Sequence, residues 1–342
     1  MAGRLTWDRL LSEDRTRMDS GKAKDNPFRN EFEADYDRIV GSSSVRRLQD
    51  KAQVFPLQEN DFTRTRLTHS VEVSALARSL GKAVGKELEK IDAENFTAEK
   101  TEKLASLLQV AGLIHDLGNP PFGHYGETVI REWFKRWFEN DYKIFERTRA
   151  NLKDQILLNQ QEKNDFIFFD GNVQNLRIVT KLQTLNDEYG ANFTYGTLGA
   201  IIKYPWSSVS KEEADKFGYF ASEGDIIQKL WEKTGLSQGI RHPATYLLEA
   251  ADDIIYICDD IEDGVKKGYI CWKDEYINLQ NKFEDQQCYV ELFHMISSKK
   301  TDDNMDASER TLAQVRNFRN IVQTYLFMKA KEKFINSYDK IM

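Results

Sequence analysis

Apolar residues recur every three to four positions along much of this chain, which is the spacing of one buried face of an α-helix. This spacing predicts long helices over residues 68–84 and 101–117. A further long helix is predicted over 243–264, where Pro243 suits a first helical turn, and another over 308–342. The connecting segments are too short and too poor in glycine for a parallel sheet. We therefore predict an all-α fold.

Shorter helical stretches complete the pattern, and loops rich in Gly, Asn and Asp separate them. These stretches cover about residues 127–140, 172–186 and 196–203. The chain contains no internal repeat and no low-complexity segment. The pattern is therefore that of a folded helical protein throughout.

Composition narrows the class of protein further. The 342 residues carry 48 basic and 55 acidic side chains, a formal net charge of −7, whereas a protein that coats nucleic acid normally carries the opposite sign. The longest uninterrupted apolar run is five residues, too short for a membrane span, and the N-terminus lacks a signal-peptide pattern. Three cysteines without a CxxC spacing indicate reduced thiols in the cytoplasm and give no support to a cysteine-based zinc site.

Two histidines lie where chemistry is expected. His69 and His115 both fall on the apolar side of their predicted helices, where a lone histidine is more often an ordinary core residue. However, Asp116 follows His115 directly, and a Gly-Asn-Pro-Pro turn follows both. An imidazole and a carboxylate held side by side at a fixed bend suit a metal site.

The helix predicted over 243–264 carries an unusual number of aspartates. Asp252, Tyr256 and Asp260 are spaced i, i+4 and i+8 and share one polar face, opposite an apolar face. Five aspartates within twelve residues repel one another unless cations or hydrogen-bond donors compensate. The alternative interpretation of this stretch alone is a solvated acidic face.

These residues belong to a longer set of motifs that resembles one family. VRRLQDKAQVFPL, TRLTHS, HDLGNPPFGHYGE, FDGNVQNLRI, KYPW, KFGYFASE and YLLEAADDIIY follow one another between about residues 37 and 264. In this order and spacing they are similar to the deoxynucleoside triphosphate triphosphohydrolases (dGTPases) of the HD superfamily. A lone His-Asp pair would carry little weight, whereas seven ordered motifs are specific. The resemblance implies a helical HD phosphohydrolase fold.

The resemblance also implies a metal site. His69, His115, Asp116 and Asp252 match the four metal ligands of the family. Asp252 is preferred to Asp253 because the family's ligand lies four residues before the tyrosine. Two imidazoles and two carboxylates suit Mn²⁺, Mg²⁺ or Fe²⁺.

His124 and Glu127 match the family's catalytic pair, in which the carboxylate orients the imidazole and the imidazolium protonates the departing 5′ oxygen. As an alternative, His124 only caps the following helix.

The remaining matches concern the substrate. Residues matching the family's phosphate contacts are Arg66, Asn119, Lys203 and Lys216, and Tyr204 is a further candidate for substrate binding. Residues matching its contacts to the deoxyribose are Gln53, Tyr256 and Asp260.

We therefore expect metal-dependent hydrolysis of a deoxynucleoside triphosphate, dGTP first among them, to deoxynucleoside and inorganic triphosphate. One rival interpretation is another HD nucleotidase or phosphodiesterase. A second rival is a catalytically silent sensor of nucleotides or single-stranded DNA that keeps the same fold.

The expected organisation has three parts. Residues 1–60 form an N-terminal helical segment and active-site loop, 61–270 the HD phosphohydrolase core, and 271–342 a C-terminal helical region. The last predicted helix reaches the end of the chain without a stop signal, so we expect part of the family's C-terminal region to be missing. The resemblance further implies a homo-oligomer, with a hexamer as the expected form, and single-stranded DNA or a dNTP as a candidate effector.

Overall fold

The structure is a computed structural model of the whole chain. It describes residues 4–17, 28–57, 62–139, 158–183, 190–210, 216–299, 301 and 304–342. Among these residues there are helices, turns and isolated bridges but no strand, which confirms the predicted all-α class. No helix in the described ranges combines the length and the apolarity that a membrane span requires.

The described residues form fifteen α-helices. In chain order they are α1 (Trp7–Leu10), α2 (Glu31–Val40), α3 (Ser43–Arg46), α4 (Arg66–Ile91), α5 (Ala98–Ile114), α6 (Gly123–Glu139), α7 (Gln160–Ile167), α8 (Gly171–Arg177), α9 (Tyr195–Ala200), α10 (Gly224–Thr234), α11 (Pro243–Lys266), α12 (Trp272–Phe283), α13 (Gln287–Ser297), α14 (Ala307–Asn336) and α15 (Tyr338–Ile341).

The centre of the molecule is the pair α4 and α5, which pack along each other, with α11 against both. The apolar positions that predicted α4 are fully buried, Val73 and Leu80 among them. The two helices approach closely because Gly112 of α5 faces the backbone of Ser74, where an added Cβ would lie 2.7 Å from the Ser74 Cα. Thr65 caps the start of α4 by accepting the N–H of Thr68. This arrangement fixes where α4 begins, and therefore where its first-turn side chains point.

The C-terminal helices have a second, smaller core. Trp272, Leu292 and Phe318 are buried together between α12, α13 and α14. The end of the chain returns to the main core, where the Tyr338 hydroxyl accepts a hydrogen bond of 2.8 Å from the Trp7 indole. The three-part division of the chain remains a prediction.

The predicted elements differ from the observed ones mainly at their ends. The helix predicted over 308–342 is interrupted at Ser337, which separates α14 from α15. The stretch predicted over 172–186 is α8 followed by a π-helical turn over Ile178–Leu182, and residues 184–189 lie outside the described ranges. Helix α6 begins at Gly123, four residues earlier than predicted, so His124 belongs to its first turn.

Candidate metal centre and substrate site

The His-Asp turn follows the end of α5 and packs directly on the start of α8. A Cβ at Gly118 would lie 2.0 Å from the carbonyl oxygen of Gly171 and 2.2 Å from the amide nitrogen of Asn175. Only glycine fits at this distance, so two backbones meet here without a side chain between them. This contact holds the turn, and with it His115 and Asp116, against the rest of the fold.

The structure brings the four predicted metal ligands together from three helices. Ligand atoms of His69, His115 and Asp116 all lie within 4.8 Å of one another. Asp252 of α11 faces the same point: its Oδ1 lies 3.0 Å from His69 Nε2 and 3.5 Å from His115 Nε2. Residues that are 183 positions apart in the chain are thus in direct contact.

The electrostatics of this cluster favour a bound cation. His115 donates from Nδ1 to the carbonyl of Gly112 at 2.7 Å, so its Nε2 faces the carboxylates. In the described part of the chain this buried Nε2 has no hydrogen-bond partner. Burial by itself lowers the pKa of His115, but the charges of Asp116 and Asp252 outweigh it and raise the pKa to about 9. Two imidazoles and two carboxylates that meet at the unpaired Nε2 of His115 form a set of ligands that suits a divalent metal ion.

Groups around Asp116 hold its carboxylate in place. Oδ1 accepts a hydrogen bond of 2.7 Å from the Asn119 amide, and Oδ2 accepts one from the guanidinium of Arg66. The following turn is fixed by Lys51, whose ammonium donates to the carbonyls of Leu117 at 3.1 Å and Asn119 at 2.6 Å. The sequence motifs did not single out Lys51, although it lies inside the first of them, two residues before Gln53.

The predicted catalytic pair is in contact and lies at the start of α6. His124 Nδ1 is 3.0 Å from Glu127 Oε2, and the other carboxylate oxygen accepts the N–H of Gly171 at 2.7 Å. Glu127 is buried, whereas the His124 side chain is 88% exposed. The hydrogen bond that His124 donates to Glu127 raises the pKa of His124 above its ordinary value against the effect of burial. The pair thus presents an exposed imidazole held from behind by a buried carboxylate.

The two predicted phosphate lysines lie near one ring. Lys203 Nζ and Lys216 Nζ are each 5.9 Å from the ring centre of Tyr204. Each lysine also contacts a carboxylate that the motifs did not assign: Lys203 pairs with Glu249 at 3.0 Å and Lys216 with Asp170 at 2.5 Å. The two ammonium groups are therefore held in fixed positions by ion pairs.

The predicted sugar contacts lie on α11 and in the segment before α4. Tyr256 is 46% exposed on α11, and burial raises the pKa of Asp260, one turn further on, to about 6. Gln53 lines a cavity of about 270 Å³ together with Phe122 and Tyr125. Its side-chain Oε1 is buried there and accepts no hydrogen bond from the described residues.

The acidic stretch of α11 is only partly a solvated face. Asp259, Glu262 and Asp263 are 3 to 5% exposed, so that interpretation is wrong for them. Their neighbouring cations are Arg64, whose guanidinium lies 3.0 Å from Asp259 and 2.7 Å from Asp263, and Arg319 of α14 and Lys266 of α11, which both contact Glu262. Arg64 and Arg319 come from distant parts of the chain, where no spacing indicates them, whereas Lys266 lies four residues after Glu262 on the same helix.

Comparisons with known proteins identify the relatives of this chain. The family model of the HD domain matches residues 66–165. A deoxyguanosinetriphosphate triphosphohydrolase-like protein of Listeria innocua serovar 6a is 42% identical over 99% of this chain and 72% of its own length. A protein of the same description from Synechocystis is 39% identical over 78% of this chain and 61% of its own length.

A deoxyguanosinetriphosphate triphosphohydrolase of Salmonella paratyphi A is 33% identical over 81% of this chain and 57% of its own length. These identities extend over most of the chain, well beyond the range that the HD-domain model matches. The chain belongs to the deoxyguanosinetriphosphate triphosphohydrolase-like proteins, a family built on an HD domain.

Proposed function

We propose that this protein hydrolyses a deoxynucleoside triphosphate, dGTP first among them, to deoxynucleoside and inorganic triphosphate. The observation that carries the proposal is the buried Nε2 of His115, which faces two carboxylates and lacks a hydrogen-bond partner in the described ranges. A divalent metal ion held by His69, His115, Asp116 and Asp252 would neutralise phosphate charge and acidify water at this point.

The residues around this centre divide the remaining work. In the proposed reaction a water molecule attacks the α-phosphorus, and the bond from that phosphorus to O5′ breaks. His124 donates its proton to O5′, because the imidazolium is exposed and Glu127 holds it from behind. Arg66, Lys203 and Lys216 hold the polyphosphate, which departs intact.

Selection of the sugar is proposed to lie on α11. Tyr256 follows the ligand Asp252 by one helical turn, so its exposed ring stands beside the metal centre. A ring packed against C2′ of the sugar leaves no room for a 2′-hydroxyl, whereas Asp260 and Gln53 offer acceptors to the 3′-hydroxyl. The substrate class is therefore proposed to be deoxyribonucleotides.

The decisive experiment identifies products by chromatography for the four dNTPs and GTP, with Mn²⁺, Mg²⁺ and a chelated sample compared. Deoxynucleoside and tripolyphosphate in equal amounts support the proposal, and in ¹⁸O water the label belongs in the tripolyphosphate. Release of monophosphate or diphosphate in their place identifies another nucleotidase. Binding of dNTP without turnover in any metal identifies a silent sensor.

The assembly of the protein is part of the same proposal. By its family resemblance we propose a cytoplasmic homo-oligomer, with a hexamer expected, whose activity responds to single-stranded DNA or to a dNTP. Light scattering on the purified chain measures the assembly. Repeating the product assay with each effector measures the response.

A further inference from the structure

A third cation lies near the same ring as the two phosphate lysines. The guanidinium carbon of Arg241 lies 5.7 Å from the ring centre of Tyr204, beside Lys203 and Lys216 at 5.9 Å each. Distances below about 6 Å are typical of cation–π contacts. None of the sequence motifs includes Arg241. Three cations around one ring form a concentration of positive charge, named here the Tyr204 cluster (Lys203, Tyr204, Lys216 and Arg241).

One carboxylate joins two of these cations. Glu249 places Oε1 3.0 Å from the ammonium of Lys203 and Oε2 3.1 Å from NH1 of Arg241. Asp170 pairs with Lys216, so the three cations of the cluster have two carboxylate partners, Glu249 and Asp170. The cluster therefore keeps a net positive charge after its internal ion pairs are counted. In the described ranges Arg241 donates one hydrogen bond, from NH1 to Glu249, and its side chain is 21% exposed, so further guanidinium N–H donors are left for a ligand.

The fold attaches Arg241 to the metal centre through α11. His242, the N-cap of this helix, is buried and lies with Nε2 3.0 Å from the carbonyl of Leu10, so the residue before it has a fixed backbone. The guanidinium also lies 5.7 Å from the ring centre of Tyr246, in the first turn of the helix. Glu249 precedes the proposed metal ligand Asp252 by three residues, which places both on the same side of α11.

The second side of the cluster is fixed by a close backbone contact. A Cβ at Gly218 would lie 1.8 Å from the carbonyl oxygen of Tyr204, and the Gly218 N–H donates to the Trp206 carbonyl at 2.9 Å. The Trp206 indole in turn donates to the carbonyl of Lys216 at 2.8 Å. The segment that carries Lys216 is thereby held against the segment that carries Tyr204.

Resting on the proposed function, we infer that Arg241 binds the polyphosphate end of the substrate in addition to Arg66 and the two lysines, and that Glu249 positions it. A guanidinium binds phosphate oxygens through paired N–H donors, which an ammonium cannot do. Arg241 is the cation that extends the cluster along the chain of phosphates.

The alternative role for Arg241 is only to neutralise Glu249, and a double variant separates the two. Binding of inorganic tripolyphosphate is measured by calorimetry, with Mg²⁺ in excess, for the parent, Arg241→Ala, Arg241→Lys and Arg241→Ala/Glu249→Gln. Arg177→Ala is the matched control, because Arg177 also lies over a ring, Phe220 at 5.6 Å, but pairs with the Ser222 hydroxyl. The unfolding midpoint of each variant shows that it remains folded.

If Arg241 binds phosphate, Arg241→Ala weakens tripolyphosphate binding by about tenfold, and the double variant stays at least threefold weaker than the parent. Arg241→Lys recovers part of the loss, and KM for the dNTP rises in parallel while the metal content is unchanged. A single or double variant within threefold of the parent overturns the inference. A parent that neither hydrolyses dNTPs nor binds tripolyphosphate overturns the proposed function itself, and the inference with it.

Discussion

Replacing His124 with alanine tests the proposed chemistry with the least disturbance of the fold. The side chain is 88% exposed, and within the described ranges its one hydrogen bond is to Glu127. Glu127 keeps the Gly171 N–H at 2.7 Å when the imidazole is removed. The residue lies apart from the four carboxylate and imidazole groups of the metal centre, so the variant is expected to bind metal as the parent does.

Two magnitudes follow from this environment. The imidazole is exposed, but its removal takes one hydrogen bond from the buried Glu127 carboxylate, so the free energy of unfolding is expected to fall by about 1 to 3 kcal/mol. General acid catalysis is worth on the order of 10²- to 10⁴-fold in rate. The departing O5′ is an alkoxide of high pKa, which places this case toward the upper end. The variant is therefore expected to remain folded, to bind metal and to hydrolyse dGTP slowly.

The assay combines metal analysis, dGTP affinity and the single-turnover rate of dGTP hydrolysis. His294→Ala is the control, because His294 is an exposed histidine on α13, in the C-terminal helical region. A loss of metal together with activity would refute the assignment and make His124 a ligand. A single-turnover rate within about threefold of the parent would also refute it and leave His124 as a first-turn residue of α6 without a catalytic role.

The pH dependence supplies an independent check through Glu127→Gln. A general acid works in its protonated form, so activity falls as pH rises through the pKa of His124. Glu127 raises that pKa by its hydrogen bond, and the amide of glutamine carries no charge to do so. The alkaline fall of kcat/KM is therefore expected at lower pH in the variant. A profile that superimposes on the parent's would contradict the proposed pairing.

Three further outcomes are expected. Asp116→Ala removes a ligand carboxylate and loses bound metal and nearly all turnover, so full metal occupancy with normal activity would exclude this site. Tyr256→Ala admits GTP far better relative to dGTP, and an unchanged ratio of the two kcat/KM values would show that the ring only packs. Arg64→Leu leaves Asp259 and Asp263 buried without the Arg64 guanidinium, and the free energy of unfolding, measured in urea, is expected to fall by about 3 kcal/mol or more. A loss below about 1 kcal/mol would contradict the importance of these ion pairs.

Local sequence patterns were sufficient to predict the helices but not the residues at which the helices end. The repeat of Val73 and Leu80 depends only on neighbours three and four residues away, and both residues are buried as that repeat predicts. The break at Ser337 and the π-helical turn after α8 were missed, because side chains far away in sequence decide where those helices end. The end of the chain, for example, turns so that Tyr338 reaches Trp7.

The sequence by itself determined the helical class, the family and the set of side chains that the site would need. Apolar periodicity and ordered motifs are properties of short stretches of sequence, so they can be recognised without knowledge of the fold. Only the tertiary structure decided how the charges are paired. The partners of Lys203, Lys216 and Asp263 come from segments up to 199 residues away, since a buried or half-buried charge takes whatever opposite charge packing brings to it. Arg241 shows the consequence: no motif indicates it, and its place beside Tyr204 follows from the packing of α11 alone.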